Sequence, residues 1–192
     1  MKRQRGITLV ELLMTLAIAA ILLSLAAPSF RRMILANSMS TGVNTFTSDM
    51  RYARSEAVRL GGRVILCRSD DPENATPTCA ANASTSGGKG WATGWVIFHD
   101  RDASNTWTAG DPVLRVQAPL SGVDAVLENA DANNSTMFRF AATGRLMESA
   151  NARLNFGGSN YDDKLKRVIC VSAGGRSRIA GDGTTSCGTN NE

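Results

Sequence analysis

The chain holds a single histidine, His99, in 192 residues, which excludes a metal centre built on several imidazoles. Its four cysteines include no Cys-x-x-Cys pair, so neither a zinc ribbon nor a thioredoxin-like redox site is available. No Gly-x-Ser-x-Gly, His-Glu-x-x-His, Walker A or Gly-x-Gly-x-x-Gly pattern occurs, and an enzymatic reading finds no catalytic constellation. Internal repeats are absent. Positive charge is scarcer than it looks: 21 Lys plus Arg against 17 Asp plus Glu give +4, but Lys2, Arg3 and Arg5 carry three of these charges. The rest of the chain is close to neutral. Long apolar runs are scarce too, because nearly all sustained hydrophobicity lies in one block near the N-terminus. The length fits one domain.

That block runs from Ile7 to Ala27, 21 residues with one charge. As a helix rising about 1.5 Å per residue it spans roughly 31 Å, the thickness of a bilayer core. Pro28 closes the run, and Phe30, Arg31 and Arg32 follow as an interfacial anchor. A secretory signal has a shorter apolar core with a small-residue cleavage site after it, whereas here Gly6 lies before it. Positive charge at the start keeps the leader cytoplasmic and sends the remainder outward. Glu11 is the anomaly, since a carboxylate in a spanning helix costs about 2.5 to 3.5 kcal/mol. Unless it is simply tolerated near the interface, it needs a cation, and no Lys or Arg lies within the span.

Gly6, then Ile7, Thr8, Leu9, Val10, Glu11 and an apolar helix, resembles the class III signal of type IV pilins and type II secretion pseudopilins. The resemblance implies that a prepilin peptidase cuts between Gly6 and Ile7 and methylates the new amine on Ile7. Glu11, fifth in the mature chain, would then attract the terminal amine of a neighbouring subunit during assembly. Ile7 stands where that family usually has Phe.

Beyond Pro28, apolar residues recur at Met39, Val43, Phe46, Met50, Ala53, Ala57 and Leu60, spacings of 4 and 3 that predict an amphipathic helix packed on a sheet. Gly61 and Gly62 supply its stop. A single helix from Ile7 to Leu60 follows, with Pro28 and Gly42 as its weak points. The pattern then changes to short strands: 63–68, 94–99, 112–118, 123–128, 136–141, 152–157, 166–172 and 176–180. Residues 80–90 are too small and polar to build core. In an oxidising space four cysteines allow three pairings; local loop closure favours Cys67 with Cys79 and Cys170 with Cys187, and free thiols are the alternative. Each bridge would contribute about 3 kcal/mol.

Several further segments, GWATGWVIFHDRD, PVLRVQAPL, FRFAATGRL and ICVSAGGRSRI, with the helical YARSEAVRLG, resemble successive motifs of the FimT/FimU and GspH group of minor pilins. The late ICVS with Gly-Arg-Ser-Arg is closer to the pilus members than to the secretion member.

Two clusters invite chemistry. Asp100, Asp102, Asn105 and Asp111 have the oxygens for Ca²⁺ but lack the spacing, Gly and terminal Glu of an EF-hand, and a polar hairpin connection explains them more simply. Lys164, Lys166, Arg167, Arg176 and Arg178 place five positive charges between residues 164 and 178 with no acidic residue from 164 to 178. On a strand, Arg176 and Arg178 share a face, and guanidinium pairs bind phosphates bidentately. Gly175-Arg176-Ser177-Arg178 resembles the Gly-Arg-x-Arg motif with which FimT-like minor pilins bind DNA during natural transformation. Arg176 and Arg178 are the candidate contacts, and Lys164, Lys166 and Arg167 are supporting charges; the alternative is a solvated face that helps subunits pack. Trp91, Trp95 and Trp107 read as core or turn anchors, so nothing would read bases.

The expected fold is α+β, a type IV pilin fold with a long N-terminal helix on a mostly antiparallel β-sheet head. Its parts would be a cleaved leader (1–6), a transmembrane and assembly helix (7–28), an amphipathic helix (29–62) and a β-rich head (63–192). The resemblance implies a non-enzymatic, cofactor-free inner-membrane protein with a periplasmic head, extracellular once in the pilus. Its partners would be the prepilin peptidase, minor and major pilins, the inner-membrane assembly platform and double-stranded DNA. Two other readings are a GspH-like pseudopilin of type II secretion and a membrane-anchored receptor that never enters a filament.

Overall fold

The computed structural model describes residues 8–82, 88–128, 136–147, 152–159 and 161–188. Its one long helix, α1, runs Leu9–Leu60 with Pro28 inside it. The missing N–H of Pro28 removes one helical hydrogen bond, yet the helix continues through it. The chain divides into two compact units, residues 1–37 and 38–192. In the first, the large apolar side chains from Leu9 to Ile34 are exposed, the surface expected of a segment whose solvent is lipid.

The second unit is organised around residues 38–60 of α1. Met39, Val43, Phe46, Met50, Ala53 and Ala57 are all buried, as the 4-3 spacing predicts. Gly42 joins them, and its role differs from the expected weak point. A Cβ there would lie 3.2 Å from Val123 Cγ2 and 3.3 Å from Leu120 Cδ1, so its small size lets the loop before β4 approach the helix. At the end of α1, Gly61 takes φ 82° and the Gly62 N–H donates to the Ala57 carbonyl at 2.7 Å. This six-to-one bond satisfies a carbonyl that the helix end would otherwise leave open.

Among the described residues eight strands follow: β1 (Val64–Arg68), β2 (Trp95–His99), β3 (Val113–Gln117), β4 (Ala125–Glu128), β5 (Met137–Phe140), β6 (Ala152–Gly157), β7 (Arg167–Val171) and β8 (Ser177–Gly181). Each falls within a predicted segment or one residue of it. All named pairs are antiparallel, but the strands form two sheets rather than one, ordered β3-β2-β1-β5 and β4-β6-β7-β8. The chain leaves the first sheet for β4 and returns for β5. β1 lies in the middle of its sheet and is buried along its whole length, which is why Val-Ile-Leu-Cys reads as a continuous apolar run instead of an alternation. One face of it turns Leu66 towards the row shared with Ile97 and Phe138. The opposite face buries Ile65, Cys67, Val96 and Phe98 beneath Cys79, Trp107 and Met137.

Phe46, with no exposed surface, is the centre of the core. Its ring meets Trp91, Trp95, Phe138 and Phe156 edge-on, at centroid distances of 5.4, 5.4, 6.2 and 5.8 Å. These rings come from the 3₁₀ turn Trp91–Thr93, from β2 and β5 of the first sheet, and from β6 of the second. Nearby, the buried Asp49 carboxylate accepts a hydrogen bond from Trp95 Nε1 at 2.8 Å and pairs with Arg115 of β3, whose guanidinium lies 4.1 Å from the centre of the Tyr52 ring. A second ion pair, Arg68–Glu128 at 3.3 Å, is almost wholly buried and ties β1 of one sheet to β4 of the other. Two disulfides close local loops: Cys67–Cys79 over 12 residues and Cys170–Cys187 over 17. The first ties the segment 69–78, whose side chains are mostly small or polar, to β1.

Because Phe46 touches both sheets, its truncation should loosen both at once. Phe46→Ala is expected to lose about 3 to 5 kcal/mol, with both sheets melting in one transition, measurable by denaturant unfolding followed in parallel by near-ultraviolet and far-ultraviolet circular dichroism.

Candidate functional site

The β7–β8 hairpin turns through Ser172–Arg176. The Gly175 N–H donates to the Ser172 carbonyl and the Ser172 N–H to the Arg176 carbonyl, both at 2.9 Å. A second turn, after β5, is closed the same way: the Gly144 N–H donates to Ala141 and the Ala141 N–H to Arg145, both at 2.8 Å. Gly144 and Gly175 share φ 73°, a conformation costly for a side chain with a Cβ. They also sit back to back. A Cβ on Gly175 would collide with the Gly144 carbonyl oxygen and the Phe140 ring, and a Cβ on Gly144 would come within 2.9 Å of Arg54 Nε. The Leu146 N–H completes the junction by donating to Ala173 at 3.0 Å.

Each turn therefore delivers an arginine directly after its left-handed glycine, Arg145 from one and Arg176 from the other. Arg178, two residues along β8, is exposed like Arg176. Together with Arg54 from α1, these residues line one cavity of roughly 460 Å³, whose wall also includes Ser172 and Gly174. No carboxylate and no aromatic ring lines it among the described residues. The arrangement can hold an oxyanion through several planar guanidinium forks and offers no surface for stacking a base.

The five cations clustered in sequence are thus divided in space. Arg176 and Arg178 share the cavity, whereas Arg167 opens β7 at the end remote from the turn, next to the Val168–Gly181 pair, and Val171 and Ser177 pair beside the turn. The Arg167 guanidinium donates to the Lys164 and Lys166 carbonyls, at 2.7 and 2.8 Å, and Lys166 Nζ pairs with Asp163 at 2.9 Å. Nearby, the Asp182 carboxyl is held below its ordinary value, mainly by the Thr184 hydroxyl and backbone N–H and in smaller part by the charge of Arg167. Lys164 is exposed. Charge count along the chain could not foresee this division, because a five-residue strand carries its two ends some 15 Å apart.

Arg54 and Arg145 were not singled out by sequence. Arg54 reads only as part of the polar face of an amphipathic helix. Arg145 did leave a signal, the Gly144-Arg145 pair that repeats Gly175-Arg176.

The acidic loop between β2 and β3 brings Asp100, Asp102 and Asp111 within 4.8 Å of one another. Their oxygens serve the loop itself. Asp111 accepts from the Arg101 and Thr108 N–H groups, Asp100 from those of Ser104 and Asn105, and Asp102 from Ser104. Asn105 Oδ1 accepts from Arg139, and His99 ends β2 half-buried. Trp91 and Trp95 are core, and Trp107 Nε1 donates to the Asp111 carbonyl as an anchor of this loop.

At the start of α1, the Glu11 N–H donates to Thr8 Oγ1 at 3.3 Å. Thr8 and Glu11 have the Thr-x-x-Glu spacing of a capping box, and a carboxylate in the first turn also suits the helix dipole. The Glu11 side chain is exposed. Gly6 and Ile7 lie outside the described residues.

Comparison with known families matches residues 42–175 to the type II transport protein GspH model and residues 1–27 to the prokaryotic N-terminal methylation motif. Two crystal structures of the type IV minor pilin FimU from Pseudomonas aeruginosa share the fold. One has a TM-score of 0.53 at 19% identity, covering 74% of this chain and 88% of that one; the other has a TM-score of 0.51 at 19% identity, covering 73% and 90%. A search of curated proteins finds no match. The GspH match spans most of the second unit and the methylation motif spans the apolar start of the chain, so this chain belongs to the FimT/FimU/GspH family of type IV minor pilins and pseudopilins.

Proposed function

We propose that this chain is a minor pilin of a type IV pilus that helps start filament assembly near the tip and binds extracellular double-stranded DNA for natural transformation. It acts by assembly and binding, without catalysis. A prepilin peptidase would cut between Gly6 and Ile7 and methylate Ile7, and Glu11 would pair with the terminal amine of an adjoining minor or major pilin in the apolar environment of the filament. Residues 7–28 would hold the protein in the inner membrane beside the assembly platform, with the head periplasmic until the pilus carries it outside.

The observation that carries the DNA reading is the pair of exposed arginines, Arg176 and Arg178, on one cavity wall at the end of a hairpin. Charge-assisted bidentate bonds to phosphate suit this pair, and without a stacking ring or a helix suited to a groove the binding would be independent of sequence and steeply weakened by salt. Lys164, Lys166 and Arg167 would add weaker attraction from the far end of the hairpin. A second reading, a minor pseudopilin of a type II secretion system, is favoured by the description of the matched family model. Under it the head would serve protein export and the arginines would pack subunits.

Two outcomes are expected. The full chain in uncharged detergent retards a DNA duplex at low salt, and Arg176→Gln with Arg178→Gln removes the retardation; unchanged retardation by the double variant refutes the assignment. Glu11→Gln inserts normally into the membrane but is missing from sheared pili, as judged by immunoblot. Normal incorporation would end the charge-pairing role.

A further inference from the structure

We infer that Arg31 and Arg32 of α1 form a binding site for the phosphates of anionic phospholipid headgroups, which fixes the depth of the helix in the membrane once residues 1–6 are gone. This rests on the processing step proposed above and gives a ligand to two cations that assembly and DNA binding leave unused.

The span is bracketed by charge. Within α1, Glu11 and Arg31 are 20 residues apart, about 30 Å at 1.5 Å per residue, the thickness of the hydrocarbon core. With Glu11 at one boundary, the two guanidinium groups lie at the other. Both arginines are exposed, and neither makes a hydrogen bond or ion pair with a described residue. The neighbouring sequence offers them no carboxylate, because no Asp or Glu occurs from residue 12 to residue 48. Their surroundings suit a lipid interface. At 3.6 residues per turn, Phe30, Met33 and Ile34 share an arc of about 100°, and all three are half exposed or more. Arg31 and Arg32 lie outside that arc. One turn of helix thus presents an apolar face to acyl chains and a cationic one to headgroups.

Processing changes which end of the span carries the charge. In the full chain Lys2, Arg3 and Arg5 outnumber Arg31 and Arg32, whereas removal of residues 1–6 leaves no Lys or Arg before the span and two after it. The orienting bias of the leader is then lost. Arg31 and Arg32 become the only Lys or Arg from residue 7 to residue 48, so they alone hold the processed helix by charge. Guanidinium forks grip phosphate oxygens in pairs. A zwitterionic headgroup brings its own ammonium beside its phosphate, while an anionic one presents the phosphate without a competitor. The pair therefore selects anionic lipid over neutral lipid.

The test uses the chain purified from its host membranes in uncharged detergent and offered equal amounts of phosphatidylglycerol and phosphatidylcholine with matched acyl chains. Native mass spectrometry counts the lipids each chain retains. A cation beside an anionic lipid surface contributes about fivefold, so the wild type should retain phosphatidylglycerol over phosphatidylcholine by about 30-fold for the pair. Arg31→Gln with Arg32→Gln should fall close to parity, Arg31→Lys with Arg32→Lys should keep most of the preference, and Arg176→Gln with Arg178→Gln should leave it unchanged. An undiminished preference in Arg31→Gln/Arg32→Gln, or its loss in Arg176→Gln/Arg178→Gln instead, overturns the site. Displacement of the lipid by millimolar inorganic phosphate assigns the arginines to a free anion and overturns it as well. The intact mass in the same spectra reports on processing separately: a chain that still carries residues 1–6 refutes the cleavage step, while a preference lost in Arg31→Gln/Arg32→Gln still upholds the headgroup site.

Discussion

Phe46 has to be enclosed on every side, and the rest of the head is arranged to do it. Its ring is fully buried among four aromatic neighbours drawn from a 3₁₀ turn and from strands of both sheets. Edge-on aromatic pairs each add about 0.5 to 1.5 kcal/mol beyond the area they bury. One residue on α1 thus couples two sheets through a shared side chain. The stripe from Met39 to Ala57 extends that coupling along the helix, and Gly42 lets the loop before β4 come close enough to close it.

The cation cleft is a consequence of the same packing. With the Met39–Ala57 stripe directed inward, Arg54 is turned to a flank of α1, where it lies against Gly144. The turn after β5 belongs to the first sheet and the β7–β8 hairpin to the second, so the cleft forms where the two sheets' turns touch. A rearrangement of either sheet would disperse the arginines. The two left-handed glycines show how tightly this is specified: a Cβ on Gly175 would run into the Gly144 carbonyl oxygen, and a Cβ on Gly144 would run into the Arg54 side chain of α1.

Much of this was legible. The helical stripe, the glycine stop and all eight strands follow from periodicity and turn residues, because those signals are local and the burial they encode is the burial observed. The partition of strands into two sheets was not legible. Alternation tells which residues face inward but not which strand is the neighbour, and nothing in 123–128 distinguishes a member of the first sheet from one of the second. Gly42 reads in sequence as a helix defect, since the atoms that need its smallness, in Leu120 and Val123, lie far along the chain. The five cations between 164 and 178 read as one patch because sequence proximity ignores the length of β7. Arg54 and Arg145 were passed over for the converse reason.

What the sequence by itself determined is the plan: a lipid-compatible helix, a basic start before Gly6, an amphipathic continuation, and a β-rich head of near-neutral charge with one Gly-Arg-x-Arg hairpin. These depend on composition and short-range spacing, which each residue carries with it. Only the tertiary structure decided which cations act together. Electrostatic interaction falls off with distance in space, not along the chain, and it is the packing of two sheets on Phe46 that brings Arg54, Arg145, Arg176 and Arg178 to one cavity while leaving Lys164, Lys166 and Arg167 at the other end of the hairpin.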